Sequence, residues 1–103
     1  MASPIRIRLR LSGDKLAVRV AITHEMESGL RLDAAGKTIA ARYIQTVKTE
    51  LNGKEVLSVD LGPNVARNPN LDFSLKGAKQ GDTVKVSWTD NQGGTRSDTA
   101  AVA

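Results

Sequence analysis

The only imidazole in this 103-residue chain, His24, is followed at once by Glu25 and then by Glu27. Imidazole plus carboxylates is the donor set of some metal centres. Here one histidine and two acids lie in a stretch without a regular period, and a loop histidine among solvated charges explains them better. Nucleophilic catalysis has less to work with. The chain has no cysteine, which excludes a thiolate nucleophile, a disulfide and any zinc site built on thiolates. No serine sits in an elbow motif, and the single histidine has no visible triad around it. Gly93-Gly94 after Asn91 could cradle an anion, but they join two strands rather than open a helix, so a hairpin turn accounts for them. The sequence reads as a non-enzyme with no catalytic residue, no metal and no cofactor.

A second chemistry-bearing pattern is the row Arg6, Arg8 and Arg10, alternating with Ile5, Ile7, Leu9 and Leu11. One reading lays an anionic partner or an acidic protein surface over this row. The plainer reading is a soluble sheet face whose charges discourage edge-to-edge association. Nucleic acid is disfavoured, because 15 Lys+Arg against 11 Asp+Glu leave only +4, and aromatics are 3% of the chain.

The elements that hold these residues follow a period of two. With 40% apolar and 25% charged residues, the chain can bury one core and reads as a single domain over 1–103. No apolar run reaches the roughly 18 residues of a membrane-spanning helix, so no membrane insertion is expected. The arginine-rich start lacks the apolar stretch of a signal peptide. Alternation in Ile5–Leu11 and in Leu16–Ile22 flanks Gly13-Asp14. A two-residue turn there pairs Leu11 with Leu16, Leu9 with Val18, Ile7 with Val20 and Ile5 with Ile22. Residues 24–39 lose the period and form a long connection of the kind that often carries function. Strands over 42–51 and 54–61 flank Asn52-Gly53, a type I′ hairpin signal. Further alternation at 71–76 and 84–88, and a final small-residue strand over 95–102, complete the set. About seven strands with no helical period predict an all-β, immunoglobulin-like β-sandwich of antiparallel strands, with Trp88 in its core.

The central hairpin does not divide cleanly into two faces. A two-residue turn at Asn52-Gly53 puts Ile44, Thr46, Leu57, Val59 and Leu61 on one side and Tyr43, Val47, Leu51 and Val56 on the other. Both sides are partly apolar. The 24–39 connection covers the surplus, another protein does, or the strand register departs from the simple one.

Several stretches together resemble the SoxZ family. They are His24-Glu25-Met26-Glu27-Ser28-Gly29 with Arg31, Asp33, Gly36-Lys37 and Ile39, then Tyr43-Ile44-Gln45-Thr46-Val47 and Asn52-Gly53-Lys54. Asn68-Pro69 leading to Phe73, Lys76-Gly77-Ala78-Lys79 with Gly81-Asp82, and Trp88-Thr89-Asp90-Asn91 with Gly93, Arg96 and Asp98 continue the likeness over nearly the whole chain. There are two departures. Glu25 stands where the family pattern has proline after the histidine, and Ile39-Ala40-Ala41-Arg42 stands where it has Ile-Pro-Ala-His. Loss of that second histidine argues against a metal or acid–base role. The resemblance implies a non-catalytic subunit of a sulfur carrier in thiosulfate oxidation. Its implied partner is a SoxY-like protein holding sulfur intermediates on a C-terminal cysteine, and the pair makes transient contact with other sulfur-oxidation enzymes. It implies a periplasmic location reached with the signal-bearing partner. Candidate partner contacts are His24, Met26, Glu27, Arg31 and Asp33 in the long connection, and Ile44, Val47, Leu57 and Val59 in the hairpin. Fold alone would equally permit a generic immunoglobulin-like protein-binding module.

Overall fold

A computed structural model describes residues 4–103. Seven strands form two antiparallel sheets: β1 (Arg6–Ser12), β2 (Lys15–Ala21), β3 (Ile44–Leu51), β4 (Lys54–Asp60), β5 (Asn70–Lys76), β6 (Thr83–Asp90) and β7 (Thr95–Ala101). One sheet has the order β1-β2-β5 and the other β4-β3-β6-β7. This is the expected immunoglobulin-like sandwich. Among the described residues no helix is long and apolar enough to cross a membrane.

The first hairpin has the register that its alternation predicts, with Leu11 opposite Leu16, Leu9 opposite Val18 and Ile7 opposite Val20. Gly13 takes the positive φ at the first turn position, where a side chain would be strained. β5 then pairs with β2, setting Phe73 opposite Val18 and Leu75 opposite Leu16. The facing sheet contributes Val47, Thr49, Val84, Val86 and Trp88, all buried. At the open side, Asp98 in β7 accepts the Ile5 backbone N–H at 2.8 Å, linking the start of β1 to the other sheet. The Arg96 guanidinium lowers the Asp98 carboxyl pKa by hydrogen bonding, against the opposing effect of burial.

The central hairpin is where the structure corrects the sequence reading. Its turn is as expected, with Asn52 and Gly53 both at positive φ. Two register shifts, however, break the alternation. Between β3 and β4, Glu50 lies opposite Glu55 but Thr49 lies opposite Leu57, so Val56 is an extra residue in a bulge. Between β3 and β6, Ile44 lies opposite Asp90 and Thr46 opposite Thr89, which leaves Gln45 unpaired in the same way. Each bulge reverses which side of the sheet the following residues face. Ile44 and Val47, assigned to opposite sides above, are both buried in the chain's own core. Leu57 and Val59 join the Val47 side, half-buried along the edge, and only Val56 points outward. The mixed facing of this hairpin's apolar residues comes from its two bulges.

Trp88 is 2% exposed and is the largest side chain in a core otherwise made mainly of aliphatic residues. Trp88→Ala is expected to cost about 3–5 kcal/mol, a large fraction of a small domain's stability. Chemical denaturation read by circular dichroism checks this. A midpoint unchanged from wild type would remove the indole from the core.

Candidate functional site

The connection between β2 and β3 is built from two parts with different physics. Its root is buried at His24, Met26 and Glu27, with Glu25 exposed between them, whereas residues 30–38 are all exposed. The exposed part folds back on itself as a narrow arm. Glu27 and Arg42 exchange backbone hydrogen bonds of 2.7 and 2.9 Å, and Leu32 bridges Thr38 further out. Asp33 closes the tip by accepting the backbone N–H groups of Ala35 and Lys37. Gly29 turns the chain at φ +89°, where a Cβ would stand 3.1 Å from the Ala41 Cβ. Near the tip, Leu30 is 83% and Leu32 60% exposed, the two most exposed large apolar side chains among the described residues.

The root is held by Asp90, the last residue of β6. Its Oδ1 accepts the Gln92 and Gly94 backbone N–H groups at 3.0 and 2.7 Å, which shapes the turn into β7. Its Oδ2 accepts the His24 Nε2–H at 3.1 Å and faces the Arg42 Nε–H at 3.4 Å. The carboxylate itself is fully buried. Burial alone would raise its pKa, but the hydrogen bonds from His24, Gly94, Gln92 and Arg42 outweigh that and hold the carboxyl below its ordinary range. The close approach needs Gly94, because a Cβ there would meet Asp90 Oδ2 at 2.6 Å. The anion cradle suggested by Gly93-Gly94 is real, and the chain's own carboxylate fills it.

His24 is therefore not the solvated loop residue that its charged neighbours suggested. The ring is buried and stands edge-on to the Trp88 indole, with centroids 5.0 Å apart. Its Nδ1 accepts the Met26 N–H at 3.0 Å, so the ring proton sits on Nε2 and goes to Asp90. Both ring nitrogens are engaged within the chain. Met26 takes a positive φ of 51°, uncommon for such a residue, and its sulfur accepts the Ile44 N–H at 3.4 Å. Asn68 reciprocates with His24: its Oδ1 accepts the His24 N–H and its own N–H donates to the His24 carbonyl. From the turn, Asn91 and Gln92 side-chain amides both donate to the Ala41 carbonyl, at 2.9 and 2.8 Å.

Above this root lies an open cleft of about 660 Å³, lined by His24, Glu27, Arg31, Arg42, Arg67 and Trp88 among others. Its charges are largely paired. Arg31 forks onto Glu27, with Nε 3.1 Å from Oε2, and this hydrogen bond holds the Glu27 carboxyl below its ordinary range against partial desolvation. Trp88 Nε1 is the one buried side-chain donor without a partner among the described residues. No cluster of three or more histidine, cysteine, aspartate or glutamate residues suited to a metal occurs among them. The arrangement is built to fix an arm to a sandwich.

Of the residues singled out from the sequence, His24, Met26 and Glu27 come together at the root, Arg31 and Asp33 lie on the arm, and Leu57 and Val59 sit at the β4 edge. Ile44 and Val47 are core. Sequence reasoning missed Asp90 as the hub and Leu30 and Leu32 as exposed apolar groups. The signal for the leucines was present, as two apolar residues flanking Arg31 in an otherwise polar stretch.

The family model described as sulphur oxidation protein SoxZ matches residues 5–101. The chain therefore belongs to the SoxZ family, and that places it in sulfur oxidation. A search of curated proteins found no match for the chain.

The hub generates two expectations. Gly94→Ala should destabilise the fold by about 2–3 kcal/mol, since it forces the carboxylate away from donors that have no other partner. A wild-type melting curve would contradict the geometry. Because the Asp90 pKa is depressed in the folded state, its stabilisation is complete above the unfolded value near 3.8 and is lost as pH falls through the lower folded value. Asp90→Asn should accordingly be less stable than wild type at neutral pH and show a flatter stability profile below about pH 4. Parallel acid limbs for the two proteins would show that Asp90 is not the titrating group.

Proposed function

We propose that this chain is the non-catalytic subunit of a two-chain sulfur carrier in thiosulfate oxidation, and that it holds a SoxY-like partner whose C-terminal cysteine bears the sulfur intermediate. Family membership supports the sulfur-oxidation setting. The absence of cysteine from the sequence fits a division of labour in which the partner supplies the thiolate. His24, with both ring nitrogens engaged, is positioned to anchor the arm rather than to move a proton. On this reading the pair works in the periplasm, exported by a signal on the partner, and meets the other sulfur-oxidation enzymes transiently.

The observation that carries the reading is the arm. Leu30 and Leu32 hold their side chains in solvent on a rigidly rooted projection, and apolar groups placed so are expected to be covered in a complex. The contact surface is thus the arm, with Arg31 and Asp33 between and beside the leucines, and the β4 edge at Leu57 and Val59 is the secondary candidate.

Co-expression with a SoxY-like protein, followed by size-exclusion chromatography, tests the pairing. The double variant Leu30→Asp, Leu32→Asp should fold and melt close to wild type, because neither side chain packs in the core. It should weaken the complex by about 3 kcal/mol or more, roughly a hundredfold in Kd. Co-elution at wild-type affinity would show that the arm is not the interface, and absence of any complex with wild type would sink the pairing itself.

A further inference from the structure

The outward face of the three-stranded sheet concentrates the charge of the whole molecule. The ladders define its four cross-strand rows: Arg6–Ala21–Asn70, Arg8–Arg19–Asp72, Arg10–Ala17–Ser74 and Ser12–Lys15–Lys76. Eleven of these twelve residues are exposed and Ala21 is half-buried, while the intervening Ile7, Leu16, Val18 and Phe73 turn toward the core. Six cations and one acid give the face +5, whereas the chain as a whole is +4, so the rest of the molecule carries −1. The entire basic excess lies on one side.

The arrangement works against the sheet's own stability. Arg8 lies directly opposite Arg19, and Lys15 directly opposite Lys76. Like charges at facing positions repel. Asp72 relieves only Arg19, through a 2.9 Å pair in which both side chains remain mostly exposed. A face meant only to be soluble would interleave the two signs.

We infer that this basic face is a docking surface for the acidic surface of a partner protein. Three features of the face select that occupant. It is a pleated surface with a shallow hollow of about 530 Å³ lined by Arg8, Arg10, Arg19, Asp72 and Ser74 around the small Ala17, where three guanidinium groups face a single acid and leave room for further carboxylates. Four of the six cations are arginine, whose planar guanidinium takes a carboxylate through two parallel hydrogen bonds. Between the cations stand only alanine, serine, asparagine and the one acid, Asp72. The face therefore has no aromatic ring on which a nucleobase could stack and no apolar anchor that could enter a lipid surface. Contact made almost wholly by charge is fast and salt-sensitive. The inference rests on the charge map and stands apart from the pairing through the arm.

The test measures binding of the full chain to poly-L-glutamate at about 0.15 M ionic strength, where the Debye length is about 8 Å. Three proteins are compared: wild type, Arg8→Glu with Arg10→Glu, and a control with the same change in net charge on the other sheet, Lys54→Glu with Lys85→Glu. Wild type should bind and lose affinity steeply as salt rises. The arginine reversal should weaken binding roughly tenfold or more and the control less than about twofold. Thermal melting monitors the fold, and the arginine double variant is expected to melt no lower than wild type, because Arg8→Glu turns a repulsive pair with Arg19 into an attractive one and Arg10 faces only Ala17. Equal losses in the two double variants, no binding by wild type, or tighter binding to duplex DNA or to phosphatidylglycerol vesicles than to poly-L-glutamate would each overturn the inference.

Discussion

A single buried carboxylate organises the functional end of this molecule. The Asp90 side chain has no exposed surface, and an ion in that position is stable only when its oxygens are fully supplied with donors. The donors come from separate parts of the chain: the β6–β7 turn, the start of the long connection at His24, and its return at Arg42. His24 and Asp90 are 66 positions apart in sequence. Satisfying one charge therefore fixes three segments relative to each other, which aliphatic packing cannot do with the same directionality. The arm has its root because the carboxylate has its shell.

The rest of the fold separates stability from recognition. Stability comes from Leu16, Val18, Val20, Ile22, Val84, Val86 and Trp88, side chains that carry no charge and sit between the sheets. Recognition is left to what projects from that core or lies on its outer surface: an arm with two exposed leucines and a basic sheet face. The bulges at Gln45 and Val56 serve the first task at a place where simple alternation would point to the second. They turn Ile44 and Val47 inward together and leave the edge strand only modestly apolar.

Much of this was legible in the residues, and the exceptions share a cause. Strict alternation in β1, β2 and β6, together with Gly13-Asp14 and Asn52-Gly53, specifies strands, turns and the first hairpin's register, because each signal is local. The bulges were not legible, since Gln45 and Val56 are ordinary strand residues and an inserted position changes facing without changing composition. The spacing of three between Ile44 and Val47 was the available clue. The hub was hidden for a different reason. His24 stands beside Glu25 and Glu27, so its immediate surroundings look solvated, while the group that buries it arrives from the far end of the chain. Local patterns report local partners, and His24 has mostly distant ones.

The arm joins a root held by buried side chains to a tip closed by the exposed Asp33 carboxylate and a few backbone hydrogen bonds. Its outer residues have little apolar burial to lose, whereas the amides of Gln92 and Gly94 donate to a carboxylate sealed from water. The two ends therefore belong to different opening events. The tip can fray and reclose without disturbing the sandwich, while releasing the root requires the Asp90 shell to come apart, close to global unfolding. A steep gradient in amide hydrogen exchange follows, running from fast beyond Gly29 to nearly as slow as the core strands at Asp90. The leucines are thereby carried on a segment that can adjust its shape while its point of attachment does not move.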